Sequence, residues 1–244
     1  MRTATKLLTV LGEPGYVDRI RALGPVAYWP LRDPSGSVAT ELMVDTNGAY
    51  AGTVTLAQAA LGDGGLYPSF GGGRVSLATP LSALNSLFNG QLGSALIWAK
   101  VSAAGAWTDG IARFAIEFGA DANNRVLIFK NSTNNQVTFR YVAGATQKNV
   151  TLATSVTTWL MLACTWNKAD DQFIAYANGA QTGSTQTSLG TYTGSLNASW
   201  TAIADVSSGG GATPWSGNLA HPALWNRVLT PAEVASLYVG AYAV

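Results

Sequence analysis

The sequence predicts an all-β, two-sheet antiparallel sandwich closed by a short N-terminal helix and a short C-terminal helix. From Val26 onward, apolar residues fall in short or alternating runs separated by Gly, Asn, Asp and Ser, the pattern of many antiparallel strands. Helical spacing is confined to one short stretch near each end. The 244 residues are 48% hydrophobic and 11% charged, enough for a large core in a chain of the size that all-β sandwiches reach as one unit. The expected division is an arm and short helix over residues 1–25 and the sandwich over 26–244.

Residues 1–12 hold Leu7, Leu8, Val10 and Leu11, too apolar to leave in water, and Glu13-Pro14-Gly15 separates them from the sandwich. They are expected to form an assembly arm that pairs with a sheet edge of another subunit; the alternative is an edge strand of the chain's own sandwich. Tyr16, Ile20 and Leu23 recur at helical spacing before the stop signal Gly24-Pro25, which predicts a helix over 14–23. Three runs, 113–118, 125–130 and 136–142, separated by turns at 119–124 and 131–135, predict a meander. Its period of two sets Phe114, Ile116 and Phe118 on one face and Glu117 on the other, toward solvent. Residues 159–166 are apolar on both faces and predict a central strand. Phe173–Ala177 meets Asn178-Gly179, a pair that favours a tight hairpin turn because both residues tolerate positive φ. Thr230 as N-cap, Pro231 in the first turn and Glu233 closing a capping box mark the last helix, whose stripe of Val234, Leu237 and Tyr238 should lie on the sandwich before Gly240 ends it.

Composition narrows the function. With 14 basic and 13 acidic residues the net charge of +1 provides no field for phosphate backbones or anionic lipid, so nucleic acid is not an expected partner. A surface so near neutrality resists self-association poorly, and a homo-oligomer is expected. Cys164 is the only cysteine; in its apolar run it reads as a buried, inert thiol. No run approaches the roughly 20 apolar residues of a membrane span. The apolar stretch at the N-terminus, broken by Gly12-Glu13-Pro14, reads as too short for a secretion signal.

Several segments in order resemble one family. They are Ala27-Tyr28-Trp29-Pro30-Leu31-Arg32-Asp33, Phe70-Gly71-Gly72-Gly73-Arg74-Val75-Ser76-Leu77, the run from Ser94 through Trp98 to Val101, the run 159–166 leading to Tyr176-Ala177-Asn178-Gly179, and Gly217 through His221 and Trp225 to Thr230. This ordered set resembles the laminin G-like jelly roll of the concanavalin A-like superfamily over residues 26–239. The resemblance implies a jelly-roll sandwich of two antiparallel sheets, one concave, in a fold that hosts lectins, adhesins, glycosidases and viral structural parts.

Site chemistry is sparse at this level. Glycoside hydrolysis needs two carboxylates across one bond, and the nearest approach to the superfamily's glucanase motif is Glu117 with Asp121, the latter in a turn. No enzymatic activity is therefore expected. His221, the only histidine, is expected to be packed and hydrogen-bonded. Calcium is the cofactor the resemblance implies; Asp170-Asp171, and Asp121 with Asn123 and Asn124, are its best acidic clusters, but both are ordinary turn compositions. No cofactor is therefore expected. Of the eight tryptophans, Trp29, Trp98, Trp159, Trp166 and Trp225 read as core. Trp107, Trp200 and Trp215, with Tyr192, fall beside Gly, Thr, Ser and Asp and are the candidate binding aromatics. The function expected is a non-enzymatic structural or adhesive component of a virus particle, a tailed-bacteriophage head-decoration or tail-associated protein located in the virion and contacting other virion proteins. The alternative is a glycan-binding lectin or carbohydrate-binding module, extracellular, carried by those four aromatics.

Overall fold

The computed structural model describes residues 15–77, 81–205 and 213–242. The proposed arm, with Leu7, Leu8, Val10 and Leu11, lies outside the described residues. In chain order the elements are α1 (Tyr16–Ala22), β1 (Ala27–Tyr28), β2 (Val38–Ala39), β3 (Gly48–Ala51), β4 (Val54–Ala60), β5 (Leu66–Gly71), β6 (Arg74–Ser76), α2 (Leu81–Asn85), β7 (Leu92–Val101), β8 (Arg113–Asp121), β9 (Asn124–Lys130), β10 (Gln136–Ala143), β11 (Thr146–Ala153), β12 (Leu160–Asn167), β13 (Gln172–Ala177), β14 (Ala180–Gln186), β15 (Thr201–Ile203), β16 (Ser216–Trp225) and α3 (Pro231–Gly240). They build two antiparallel sheets, a jelly-roll-like sandwich. The first runs β14-β13-β12-β7-β16-β5-β4, with β1 paired to β16, and the second runs β11-β10-β9-β8-β15-β6-β3-β2.

Inward residues of both sheets, among them Ile97, Leu162 and Leu219 from the first and Ile116, Phe118, Ile128 and Phe139 from the second, merge into one hydrophobic core. Strand β12 sits between β7 and β13 and is buried on both faces, as its unbroken apolar run predicts. Burial without a nearby cation pushes the Cys164 thiol up to about 12, so it is an inert packing residue.

The two terminal helices cover the other face of the first sheet around Trp98. Its ring stacks on Tyr238 at 5.9 Å and meets Tyr16 edge-on at 6.3 Å, and its Nε1 donates to Tyr16 Oη at 2.7 Å. Helix α3 begins with the full capping box: Thr230 Oγ1 accepts from the Glu233 amide, and the Glu233 carboxylate accepts from the Thr230 amide. Val234 and Leu237 are buried beneath it. Asn178 and Gly179 both take positive φ, 49° and 81°, as the tight turn between β13 and β14 requires.

Three expectations change. A β-bulge between Phe114 and Ile116 turns Phe114 to the face opposite Ile116, where its ring stacks on Phe129 at 4.9 Å. Glu117 does lie opposite Ile116 and Phe118, but it is fully buried and not in solvent. Trp159 lies just before β12 and is half-buried, its Nε1 donating to the Ala60 carbonyl at 2.7 Å.

Candidate functional site

The face of the second sheet that points away from the core carries a charged rung. The register places Ser76, Ala202, Glu117, Leu127, Arg140 and Asn149 opposite one another on β6, β15, β8, β9, β10 and β11. Cross-strand partners share a face, so these side chains stand in a line across six strands. Arg125, two residues from Leu127, stands on the same face beside Glu117. Leu127, Phe129, Val142 and Ala202 are buried yet stand apart from the continuous core. Long polar side chains lie across this face: the Arg140 guanidinium sits 4.9 Å over Phe129 and that of Arg125 sits 5.2 Å over Trp200. Gly119 allows the second contact, since a Cβ there would meet Trp200 backbone oxygen at 2.9 Å and the Cβ atoms of Trp200 and Arg125 at 3.0 Å.

The electrostatics of the rung are incomplete. Arg125 Nη1 donates to Glu117 Oε1 at 3.0 Å, and Arg74 Nη1 lies 3.5 Å from Asp205 Oδ2. Among the described residues, four buried side-chain polar atoms lack a hydrogen-bond partner, and three of them are Glu117 Oε2, Arg125 Nε and Arg74 Nε. Buried polar atoms are nearly always satisfied, and three of the unpartnered ones fall in this one network. Burial raises the Glu117 carboxyl to about 7 against the pull of Arg125, with Asp205 adding to the rise. Burial and the neighbouring Arg125 charge push Arg140 below the usual guanidinium range.

A second titratable cluster lies under α1. His221 Nε2 lies 2.8 Å from Asp63 Oδ2 and 2.6 Å from Tyr67 Oη, while Nδ1 lies 2.6 Å from Tyr28 Oη. Asp63 also pairs with Arg32 and accepts from the Gly65 amide. Burial lowers the His221 pKa despite Asp63. For Asp63 burial works upward, but His221, Tyr67 and the Gly65 amide outweigh it and hold the carboxyl well below the usual range. A neutral imidazole that donates from Nε2 to Asp63 and accepts the Tyr28 proton at Nδ1 satisfies both nitrogens. The imidazole and the Asp63 carboxylate are fully buried, which suits the structural role expected of His221.

The four candidate aromatics part company. Trp107, Tyr192 and Trp215 are buried, and their polar atoms are engaged: Trp107 Nε1 with the Val156 carbonyl, Trp215 Nε1 with the Lys100 carbonyl, and Tyr192 Oη with the Ala120 amide. The exposure expected from their polar neighbours is corrected, because the loops carrying them fold inward over the sandwich ends. Trp200 alone keeps partial exposure, and it borders the charged rung. The acidic turns expected for calcium bind their own loops: Asp171 accepts from the amides of Ser188 and Leu189, and Asp121 from Asn123 and Asn124. Among the described residues no group of three or more His, Cys, Asp or Glu side chains comes together that could hold a metal ion. Nor is any described helix long and apolar enough to cross a membrane.

Comparison with known families decides the fold's kinship. Residues 70–235 match the family model described as the concanavalin A-like lectin/glucanases superfamily. The chain belongs to that superfamily. No curated protein matches it by sequence. Among solved structures, domain 4 of AbnA, a GH43 extracellular arabinanase from Geobacillus stearothermophilus, in complex with arabinotriose, is similar with a TM-score of 0.62 and 14% identity, over 88% of this chain and 98% of that one. Trypanosoma rangeli sialidase is similar with a TM-score of 0.63 and 14% identity over 88% of this chain, which spans 32% of the sialidase. A mutant of that sialidase displaying trans-sialidase activity gives 0.63 and 16% over 90% of this chain and 33% of its own.

These findings overturn the virion reading. The superfamily is one of lectins and glucanases, the similar structures come from an arabinanase and sialidases, and no finding ties this member to a bacteriophage particle. The expectation that the chain is not an enzyme is corrected on the same ground. It rested on a missing two-carboxylate motif, whereas the similar structures are parts of carbohydrate-active enzymes.

Proposed function

We propose that this protein binds a glycan on the outer face of the second sheet, at the rung formed by Glu117, Arg140 and Asn149 with Arg125, Arg74 and Trp200 around it. The observation that carries the reading is the set of three buried, unpartnered polar atoms in one network, both donors and an acceptor. Sugar hydroxyls are donors and acceptors at once and supply what such a set lacks, while the half-buried Trp200 ring offers an apolar plane at its border. The superfamily and the arabinotriose held by the similar arabinanase domain support a carbohydrate over another polar ligand. A glycan array probed with the full chain, then with Trp200→Ala and Arg140→Gln, tests it. Binding to at least one glycan class, lost in both variants at unchanged melting temperature, is expected. Absence of any glycan binding by the unaltered chain would overturn the reading.

One observation also favours glycan cleavage. Glu117 is a buried carboxyl raised to about 7, which is the character of a general acid at neutral pH, and Asp205 is close enough for its charge to raise it further. Reducing sugar released from the bound glycan by the unaltered chain, and lost in Glu117→Gln, would establish this. No release from a glycan that binds would end it.

A further inference from the structure

We propose that the glycan bound at this face carries a carboxylate, received by the Arg140 guanidinium beside Arg125. This inference rests on the glycan-binding reading and adds the chemical class of the sugar.

The balance of donors and acceptors points to an anion. Arg140 uses only its Nε within the protein, donating to Asn149 Oδ1 at 2.9 Å; its Nη1 and Nη2 carry no hydrogen bond among the described residues. Arg125 makes a single pair through Nη1, and its Nε is buried without an acceptor; Arg74 Nε is in the same state. Against these donors stands one unpartnered acceptor, Glu117 Oε2. A neutral sugar hydroxyl can accept from these donors but brings no charge to answer the surplus of guanidinium groups. An acidic sugar adds two oxygens that only accept, and the Nη1 and Nη2 edge of the half-buried Arg140 is open to them.

Charge and shape agree. Three guanidinium groups, of Arg74, Arg125 and Arg140, face two carboxylates, of Glu117 and Asp205, so the face is positive in a chain that is otherwise nearly neutral. The lowered pKa of Arg140 reflects a half-buried cation beside another cation, a cost that an incoming anion relieves. Phe129 and Trp200 each support a guanidinium carbon over the ring, and Arg140 keeps its Nη1 and Nη2 edge free of protein partners among the described residues. That edge can take a carboxylate through two parallel N–H···O bonds.

The test uses the full chain with four probes: polygalacturonate and sialyllactose as carboxylated sugars, dextran sulfate as a sulfated one, and arabinan as a neutral one, measured by calorimetry and affinity electrophoresis. Binding to a carboxylated probe is expected, weakened about tenfold or more by Arg140→Gln, as for loss of a charge-assisted pair. Arg140→Lys, which keeps the charge without the fork, should fail to restore it. Both variants change a partly exposed side chain, and an unchanged melting temperature verifies their folding. Binding to arabinan alone would overturn the acidic-sugar inference while leaving the glycan reading intact. Equal or stronger binding to dextran sulfate, or full rescue by Arg140→Lys, would show attraction by charge only and overturn it. Failure of all four probes together with an empty glycan array would remove both.

Discussion

Replacing Glu117 by Gln should change how stability depends on pH, in a window that can be computed. The carboxyl titrates at about 7 in the fold against 4.5 unperturbed. Between those values the native state holds a proton that the unfolded chain has released, so the contribution of Glu117 falls as pH rises and is flat outside the window. A span of about two and a half pH units at roughly 1.4 kcal/mol each gives a change on the order of 3 kcal/mol. His221 works with the opposite sign. Its folded pKa lies below 6.5, so the unfolded chain binds the extra proton and stability grows as pH rises toward 6.5. The two groups therefore oppose each other just below pH 6.5, and the unaltered protein should show a shallower slope there than Glu117 alone would give. Glu117→Gln removes one side of this balance. Urea unfolding of both proteins at about pH 5 and about pH 8 should show the variant gaining on the parent by on the order of 3 kcal/mol at the higher pH. Asp109 and Glu233, both held near 2, lose their stabilising effect only as the pH falls below the ordinary carboxylate range, outside this window. A difference between variant and parent that stays constant with pH would refute the reasoning.

Other outcomes derive from the packing. Thr230→Ala should lower stability by about 1 kcal/mol through loss of the cap, and Leu237→Ala by roughly 2–5 kcal/mol through the cavity it leaves; urea melts should rank them in that order. Trp107→Ala and Trp215→Ala should each cost about 3–5 kcal/mol, seen as a clear fall in melting temperature, whereas Trp200→Ala should leave it near the parent value. Gly190→Ala would set a Cβ 1.8 Å from the Ala143 carbonyl oxygen. Because the obstacle is backbone, a loss of about 2 kcal/mol or more is expected, visible as poor expression or early melting.

Local signals are legible where local chemistry decides the outcome. The capping box of α3, the Asn178-Gly179 turn and the unbroken apolar run of β12 each determine their geometry within a few residues. Phe114 escapes the alternation because a bulge adds a residue without leaving a mark in it. Trp107, Tyr192 and Trp215 escape it for a related reason: polar neighbours reveal that a segment is a loop, but not that the loop folds inward over a sandwich end. The site is half visible. Period-two alternation sets Glu117 opposite Ile116 and Phe118, and Arg125 and Arg140 occupy the matching face on the next two strands, so counting along the meander leads to the rung. Its burial is not legible, because the groups that pack around it come from distant segments, among them Trp200, which lies 75 positions beyond Arg125 in the chain. Likewise, the partners of His221 come from 154 and 158 positions away.

The straightness of the rung also limits how this site could have diversified. Its members come from neighbouring strands at one register, and a single inserted or deleted residue within β8, β9 or β10 that no bulge absorbs would exchange the two faces of that strand, sending Glu117 or Arg140 into the core and Ile116 or Phe139 to the surface. Length changes inside these strands are therefore tolerated only where a bulge takes them up, as in β8 between Phe114 and Ile116, whereas the turns at either end are freer to grow. New specificities in descendants of this chain should arise by replacing side chains at fixed positions on the rung, and by lengthening the loops at its margins.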